Sequence, residues 1–240
     1  MNSQNNQPTG ARGSTASWLV PLLTLLAAVG FASCVWMVFV VTPVADVLFF
    51  NQKIFYFHVA NAFMLFLSVF VCGFASVVFL KKRDGKWDDI AIAGAEVAVM
   101  FGLVVLITGS IWAKAAWDVW WKWEKRLTMS LLLWLVLVAY VIVRRFAGAS
   151  ADRLAAGLAV FGCVGIPFIY FMVEKSDNHP QAGKEGVVAT LATDMKLAFW
   201  GSVLTFFFWF VALLISRIHS ARAEREVREL RESAMDAGVL

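Results

Sequence analysis

Six long apolar runs, at roughly 18–41, 54–80, 90–112, 127–143, 154–173 and 197–216, leave this chain few ways to fold. A helix rising 1.5 Å per residue needs about 20 apolar residues to cross a hydrocarbon layer about 30 Å thick. A soluble core has no use for so many segments of that length. The charged residues, only 16% of the chain against 60% hydrophobic, sit mainly in short clusters between the runs. The expected fold is therefore all-α: a polytopic integral membrane protein with six transmembrane helices in one bundle.

The first run, from Trp18 to Val41, is longer than a secretory h-region and lacks a small-x-small cleavage site, so it is read as an uncleaved anchor helix. Phe31-Ala-Ser-Cys34 only faintly resembles a lipoprotein box, because the apolar run continues past it. Residues 1–16 are polar and are expected to form a disordered cytoplasmic tail. Residues 17–216 are then the six-helix domain, and 217–240 a charged helical tail in which Glu224/Arg228 and Arg228/Glu232 fall at i,i+4 spacing. Cys34, Cys72 and Cys163 lie inside apolar runs with no C-x-x-C or C-x-x-C-H, and are expected to pack as small hydrophobes. Glu96, six residues into the third run, is expected to snorkel or to hydrogen-bond another helix.

Orientation follows from the basic residues. With six spans, the N-terminus, the 81–89 and 144–153 connections and the C-terminal tail share one side. That side holds Arg12, Lys81, Lys82, Arg83, Lys86, Arg144, Arg145, Arg153 and the five arginines after residue 216, thirteen of the 21 lysines and arginines. The positive-inside rule places both termini in the cytoplasm and the connections 42–53, 113–126 and 174–196 outside. The net charge of +4 is modest and gives no reason to expect a nucleic acid partner.

The outer segment 108–128 is the most unusual stretch. Five of the eleven tryptophans, Trp112, Trp117, Trp120, Trp121 and Trp123, fall within it. Trp117, Trp120 and Trp121 stand at i, i+3 and i+4, which on a helix makes one aromatic face continued by Glu124. Such an amphipathic segment would lie along the outer membrane surface. Tryptophan also serves as a simple interfacial anchor, and that reading stays open. The density argues for more: an aromatic platform with Lys122, Lys125 and Arg126 beside it suits a large planar ligand with peripheral carboxylates, such as haem. His58, about four residues into the second helix, and His179, in the 174–196 connection, flank the segment on the same side. A neutral imidazole is a good axial ligand for haem iron. His219 stands among the cytoplasmic arginines and is set aside.

Trp117-Asp-Val-Trp-Trp-Lys-Trp-Glu-Lys-Arg-Leu-Thr128, with Thr108-Gly-Ser-Ile-Trp112 before it, resembles the tryptophan-rich "WWD" signature of haem-handling proteins in cytochrome c assembly. Gln52-Lys-Ile-Phe-Tyr-Phe-His58-Val resembles the first histidine region of the CcmC family, the haem exporter/transfer protein of cytochrome c maturation. Gly165-Ile-Pro-Phe-Ile-Tyr170 followed by Asn178-His-Pro-Gln181 resembles the second. The larger CcmF and CcsA types share the tryptophan signature but carry more helices and histidines than this chain can hold. Four positions depart from the usual pattern: Asp118 and Ala113 replace glycines, Glu124 replaces Asp, and Ala60 replaces Pro.

The resemblance implies a protein of the bacterial inner membrane, not an enzyme, that holds haem b non-covalently and transiently at the outer face. It implies His58 and His179 as axial ligands and Trp112, Trp117, Trp120, Trp121 and Trp123 as the platform. Arg126, with Lys122 or Lys125, would meet the propionates, since guanidinium binds carboxylates in a bidentate way. Glu124 would keep the signature's acidic charge. The implied recipient is a membrane-anchored periplasmic haem chaperone of the CcmE type. The implied neighbours are ABC-type transporter subunits of the CcmA/CcmB type and a small single-span membrane subunit. No G-x-x-x-x-G-K-[ST] occurs here, so any ATP hydrolysis belongs to such a partner. Two readings of the same residues remain beside it: a membrane redox protein with a permanently bound bis-histidine haem b, and a haem-free transporter or scaffold subunit.

Overall fold

The computed structural model describes residues 18–44, 50–147, 151–173 and 187–239. They form α1 (Leu19–Trp36) with a π-helical extension over Met37–Val41, then a 3-10 turn (Phe50–Gln52) leading into α2 (Lys53–Lys82). There follow α3 (Gly85–Trp117), α4 (Lys125–Phe146), α5 (Asp152–Val173), the short α6 (Val187–Thr190) and α7 (Thr193–Asp236). Every helix except α6 is long and apolar enough to cross a membrane, six in all among the described residues. The expectation of an all-helical chain with six long apolar helices is met. The fourth run, the shortest in the sequence, becomes a helix of 22 residues because Lys125, Arg126, Arg144 and Arg145 extend it at both ends. The N-terminal tail expected over 1–16 lies outside the described residues.

α2 and α3 are joined by a two-residue reversal. Arg83 closes α2 in the left-handed region at φ 55°, and Asp84 opens α3 by accepting a hydrogen bond from Lys86 N at 3.0 Å. The two helices then pack closely through small residues. Ala91, Ala95 and Ala98 are buried, and a Cβ at Gly94 would stand 2.9 Å from the backbone nitrogen of Cys72. α2 also packs on α5 and α7, while α3 touches α4 and α7. The main core therefore gathers Met64, Leu65, Phe101, Leu137, Ile169 and Phe206 from five helices. Leu25, Phe74, Ile107, Phe161 and Leu204 face outward, an apolar exterior suited to lipid. All three cysteines are free, with Cys34 and Cys72 buried and Cys163 partly so, as expected of small hydrophobes.

Ion pairs mark one end of the bundle, called here the arginine end. Arg144 at the end of α4 bridges Asp88 of α3 and Asp152 of α5. Glu96 receives Arg145 of α4 at 3.0 Å and also Arg217 of α7. It is thus the helix–helix bond that its position in an apolar run suggested. Arg225 grips both oxygens of Asp89, at 3.0 and 3.3 Å, and pairs with Glu229. α7 runs without a break for 44 residues from the bundle through these contacts to Asp236. Among the described residues its i,i+4 pairs are Arg222–Glu226 and Arg225–Glu229, two to three residues ahead of the Glu224/Arg228 and Arg228/Glu232 spacings read from sequence.

Candidate functional site

The opposite end collects the start of α2, the end of α3 and the start of α4. Lys53, only 3% exposed, points its ammonium back at the end of the first helix. It donates to the carbonyls of Val38 and Thr42, both at 2.7 Å, and to Thr42 Oγ1 at 2.6 Å. Those carbonyls have no helical partner of their own, and a cation at a helix C-terminus is favoured by the helix dipole. Asn51 Nδ2 donates to Ala115 O at 3.1 Å, tying the turn before α2 to the last turn of α3. These two anchors fix the register of α2 at this end of the bundle, and so the position of His58 on its second turn.

His58 is half-buried and faces α3. Its Nδ1 lies 2.9 Å from Thr108 Oγ1, and its Cε1 would stand 3.2 Å from a Cβ placed on Gly109. Nε2 makes no hydrogen bond to any described residue. Trp112, four residues beyond Thr108, continues the same stripe of α3. From the first turn of α4, the half-buried Arg126 lies within electrostatic reach of both His58 and Glu124. The structure thus brings His58, Thr108, Gly109, Trp112 and Arg126 together from three helices.

The tryptophan segment is not the continuous amphipathic helix that its spacing predicts. α3 stops at Trp117, Asp118 takes a left-handed conformation at φ 59°, and α4 begins only at Lys125. Lys114 reinforces the stop, its ammonium holding the Asp118 carboxylate at 2.6 Å and the Asp118 carbonyl at 3.2 Å. Trp117, Trp120 and Trp121 therefore do not share one helical face. Instead the rings form two edge-to-face pairs, Trp112–Trp117 at 5.0 Å and Trp121–Trp123 at 5.9 Å between centroids. Lys122 lies over the Trp117 ring at 5.3 Å. Trp120 and Trp123 are 62% and 77% exposed. The Trp121 indole nitrogen is buried with no hydrogen-bond partner among the described residues.

The four departures from the family pattern also find their places. Asp118 occupies a left-handed cap that a glycine would take without steric cost, and Asp is one of the side chains that tolerates it. Ala60 sits fully buried inside α2, where a proline would remove a helix hydrogen bond. Ala113 is also buried, and Glu124 is the N-cap residue of α4. His179 lies outside the described residues, as does the 178–181 stretch of the second histidine region.

Sequence spacing alone did not reveal Thr108, Gly109 or Lys53 as neighbours of the site. Thr108 and Gly109 stood within a recognised stretch, yet their meeting with His58 depends on how α2 packs against α3.

Comparison with known proteins places the chain in a family. The profile of the CcmC family, described as Heme exporter protein C, matches residues 4–233. Heme exporter protein C of Rhodobacter capsulatus is 29% identical over 229 residues, covering 92% of this chain and 91% of its own. The Bradyrhizobium diazoefficiens protein of the same name is 29% identical over 185 residues, covering 74% of this chain and 69% of its own. The Escherichia coli K12 protein is 34% identical over 133 residues, about half of each chain at 52% and 51%. With nearly its whole length matched and six membrane-type helices, the chain belongs to the CcmC family, the membrane heme exporter protein C of cytochrome c biogenesis.

Proposed function

We propose that the protein holds haem b at the extracytoplasmic end of its bundle and gives it up, unmodified, to a periplasmic haem chaperone of the CcmE type. The observation that carries this reading is His58: an imidazole whose Nε2 has no hydrogen-bond partner among the described residues, facing the stripe of α3 that continues to Trp112 and within electrostatic reach of the half-buried Arg126. That donor set suits the cargo. His58 supplies a nitrogen for iron, with His179 as the second axial ligand. Trp112, Trp117, Trp120, Trp121 and Trp123 surround the ring, with two of them exposed to receive it. Arg126, with Lys122 or Lys125, meets the carboxylates, and the Trp121 N–H is a further donor for one of them. Glu124 holds Arg126 in place through its opposite charge.

The basic residues support an orientation with the arginine end and both termini in the cytoplasm of a bacterial inner membrane. The tryptophan end then faces the compartment where a chaperone waits. The role is one of holding and release, not catalysis, and ATP hydrolysis would come from subunits of the CcmA/CcmB type. A small single-span subunit would complete the assembly.

The test is haem content. Protein purified in detergent from haem-replete cells should show a Soret band that weakens in His58→Ala and in His179→Ala. It should also lose haem to added apo-chaperone. A double variant retaining full haem content would sink the ligand assignment, and haem that cycles with a redox partner but never leaves would sink the transfer role.

A further inference from the structure

A threonine hydroxyl has one proton to give and two lone pairs to offer. Thr108 Oγ1 lies 2.7 Å from Val104 O and 3.3 Å from Val105 O, two carbonyls that can only accept. Its proton is therefore committed to its own helix. The 2.9 Å contact to His58 Nδ1 then has one consistent reading, in which the ring nitrogen donates and the hydroxyl accepts. In a neutral imidazole, protonation at Nδ1 leaves the lone pair on Nε2.

We propose that Thr108 is a positioning residue that holds His58 in the Nδ1–H tautomer, presenting Nε2 as a ready metal ligand. The inference rests on the reading of His58 as an iron ligand and deepens it. Gly109 supplies an independent constraint. A Cβ there would come within 3.2 Å of His58 Cε1, closer than the ring could accept without shifting. The missing side chain lets the imidazole lie against α3 with its Nδ1 edge at Thr108. Residue 108 thus selects the proton and residue 109 selects the ring position, both from one turn of one helix.

This is more than a packing preference, because a free histidine side chain favours the opposite tautomer, with the proton on Nε2. Accepting at Nδ1 instead would require Thr108 to abandon its bond to Val104. A net hydrogen bond of ordinary strength corresponds to about a tenfold bias between the two states. An Nδ1–H donor held by an oxygen also raises the basicity of the other nitrogen. Loss of such an outer partner typically lowers metal affinity about 10–100-fold.

The experiment uses the full-length haem-free protein with 15N-labelled histidine, the His58 signals being assigned by their disappearance in His58→Gln. The 15N shifts report directly which nitrogen carries the proton. Wild type should show His58 protonated at Nδ1. Thr108→Val, which keeps the shape and removes the acceptor, should move the population toward Nε2–H, and Thr108→Ser should restore the wild-type pattern. Haem titration should show affinity about 10–100-fold weaker in Thr108→Val and near wild type in Thr108→Ser, with unchanged melting temperatures for both. Wild-type His58 protonated at Nε2, or a tautomer indifferent to Thr108→Val, would overturn the proposal. If the tautomer responds as expected but His58→Ala keeps its haem, Thr108 still orients the ring. The ligand role of His58 would then be the part that fails.

Discussion

At the arginine end, carboxylates answer the buried and half-buried guanidinium groups across helices. Arg144 has Asp88 and Asp152, Arg217 has Glu96 and Glu224, and Arg225 has Asp89 and Glu229. At the tryptophan end the balance is different. Trp120 and Trp123 stand exposed, and among the described residues neither the Trp121 indole N–H nor His58 Nε2 has a hydrogen-bond partner. The arginine end ties its helices with charged side chains, whereas the tryptophan end, beside the anchors Lys53 and Asn51, presents exposed indoles and a histidine. The difference teaches where to look for function in a bundle whose middle is mainly apolar: at the end where aromatic rings and an imidazole, rather than ion pairs, meet the surface.

The comparison is broken most severely by disarming the arginine end. Arg144 is 5% exposed and its partner Asp88 is 11% exposed, so Arg144→Met leaves a carboxylate buried without its cation. The expected cost is about 3–5 kcal/mol, read as a lowered melting temperature in detergent. Haem bound per folded molecule should not change. At the other end the pattern should invert. His58→Ala should lower haem content at least about tenfold, a loss of about 1.4 kcal/mol or more, with little effect on melting. A variant that loses both haem and stability would show that the two ends are not separable in this way.

Smaller effects sharpen the contrast. Trp123→Ala removes the most exposed indole of the segment and one member of the Trp121 pair. Aromatic contacts of this kind are worth about 0.5–1.5 kcal/mol, so a several-fold rise in the haem dissociation constant is expected from a spectroscopic titration. Asp118→Gly should have the smallest effect. It relieves the left-handed strain but removes the Lys114 carboxylate contact, which is exposed and weak. A gain of up to about 1 kcal/mol in stability is expected. A marked loss would mean that the Lys114–Asp118 bridge matters more than its exposure suggests.

The six helices were legible because run length is a direct consequence of bilayer thickness, and each run found its helix. The boundaries were less so. Lys125, Arg126, Arg144 and Arg145 are helical but charged, so they lie outside any apolar window while still belonging to α4. The tryptophan segment misled for a related reason. Spacing of i, i+3 and i+4 says which residues would share a helical face, but not where a helix stops. The stop here is an aspartate in a left-handed cap, a place where glycine is the usual signal. His58, Trp112 and Arg126 were readable as candidates from residue type and motif. Thr108 was visible only as part of a resembling stretch, because its contact with His58 spans 50 residues of sequence and exists only through the α2–α3 packing. Glu96 was legible as an oddity, an acid in an apolar run, while its partners Arg145 of α4 and Arg217 of α7 depend on packing, α7 lying far from α3 in sequence.

α7 has a mechanical consequence. Its 44 residues make a rod about 66 Å long, well beyond the ~30 Å of hydrocarbon it crosses. Near one tip, Met195 lies against Gln52, at the turn from which α2 rises toward His58. Toward the other, Arg225 is bolted to Asp89 at the foot of α3, the helix that carries Thr108. One rigid helix thus fastens to both of the helices that meet at the imidazole, to α2 near one tip and to α3 toward the other.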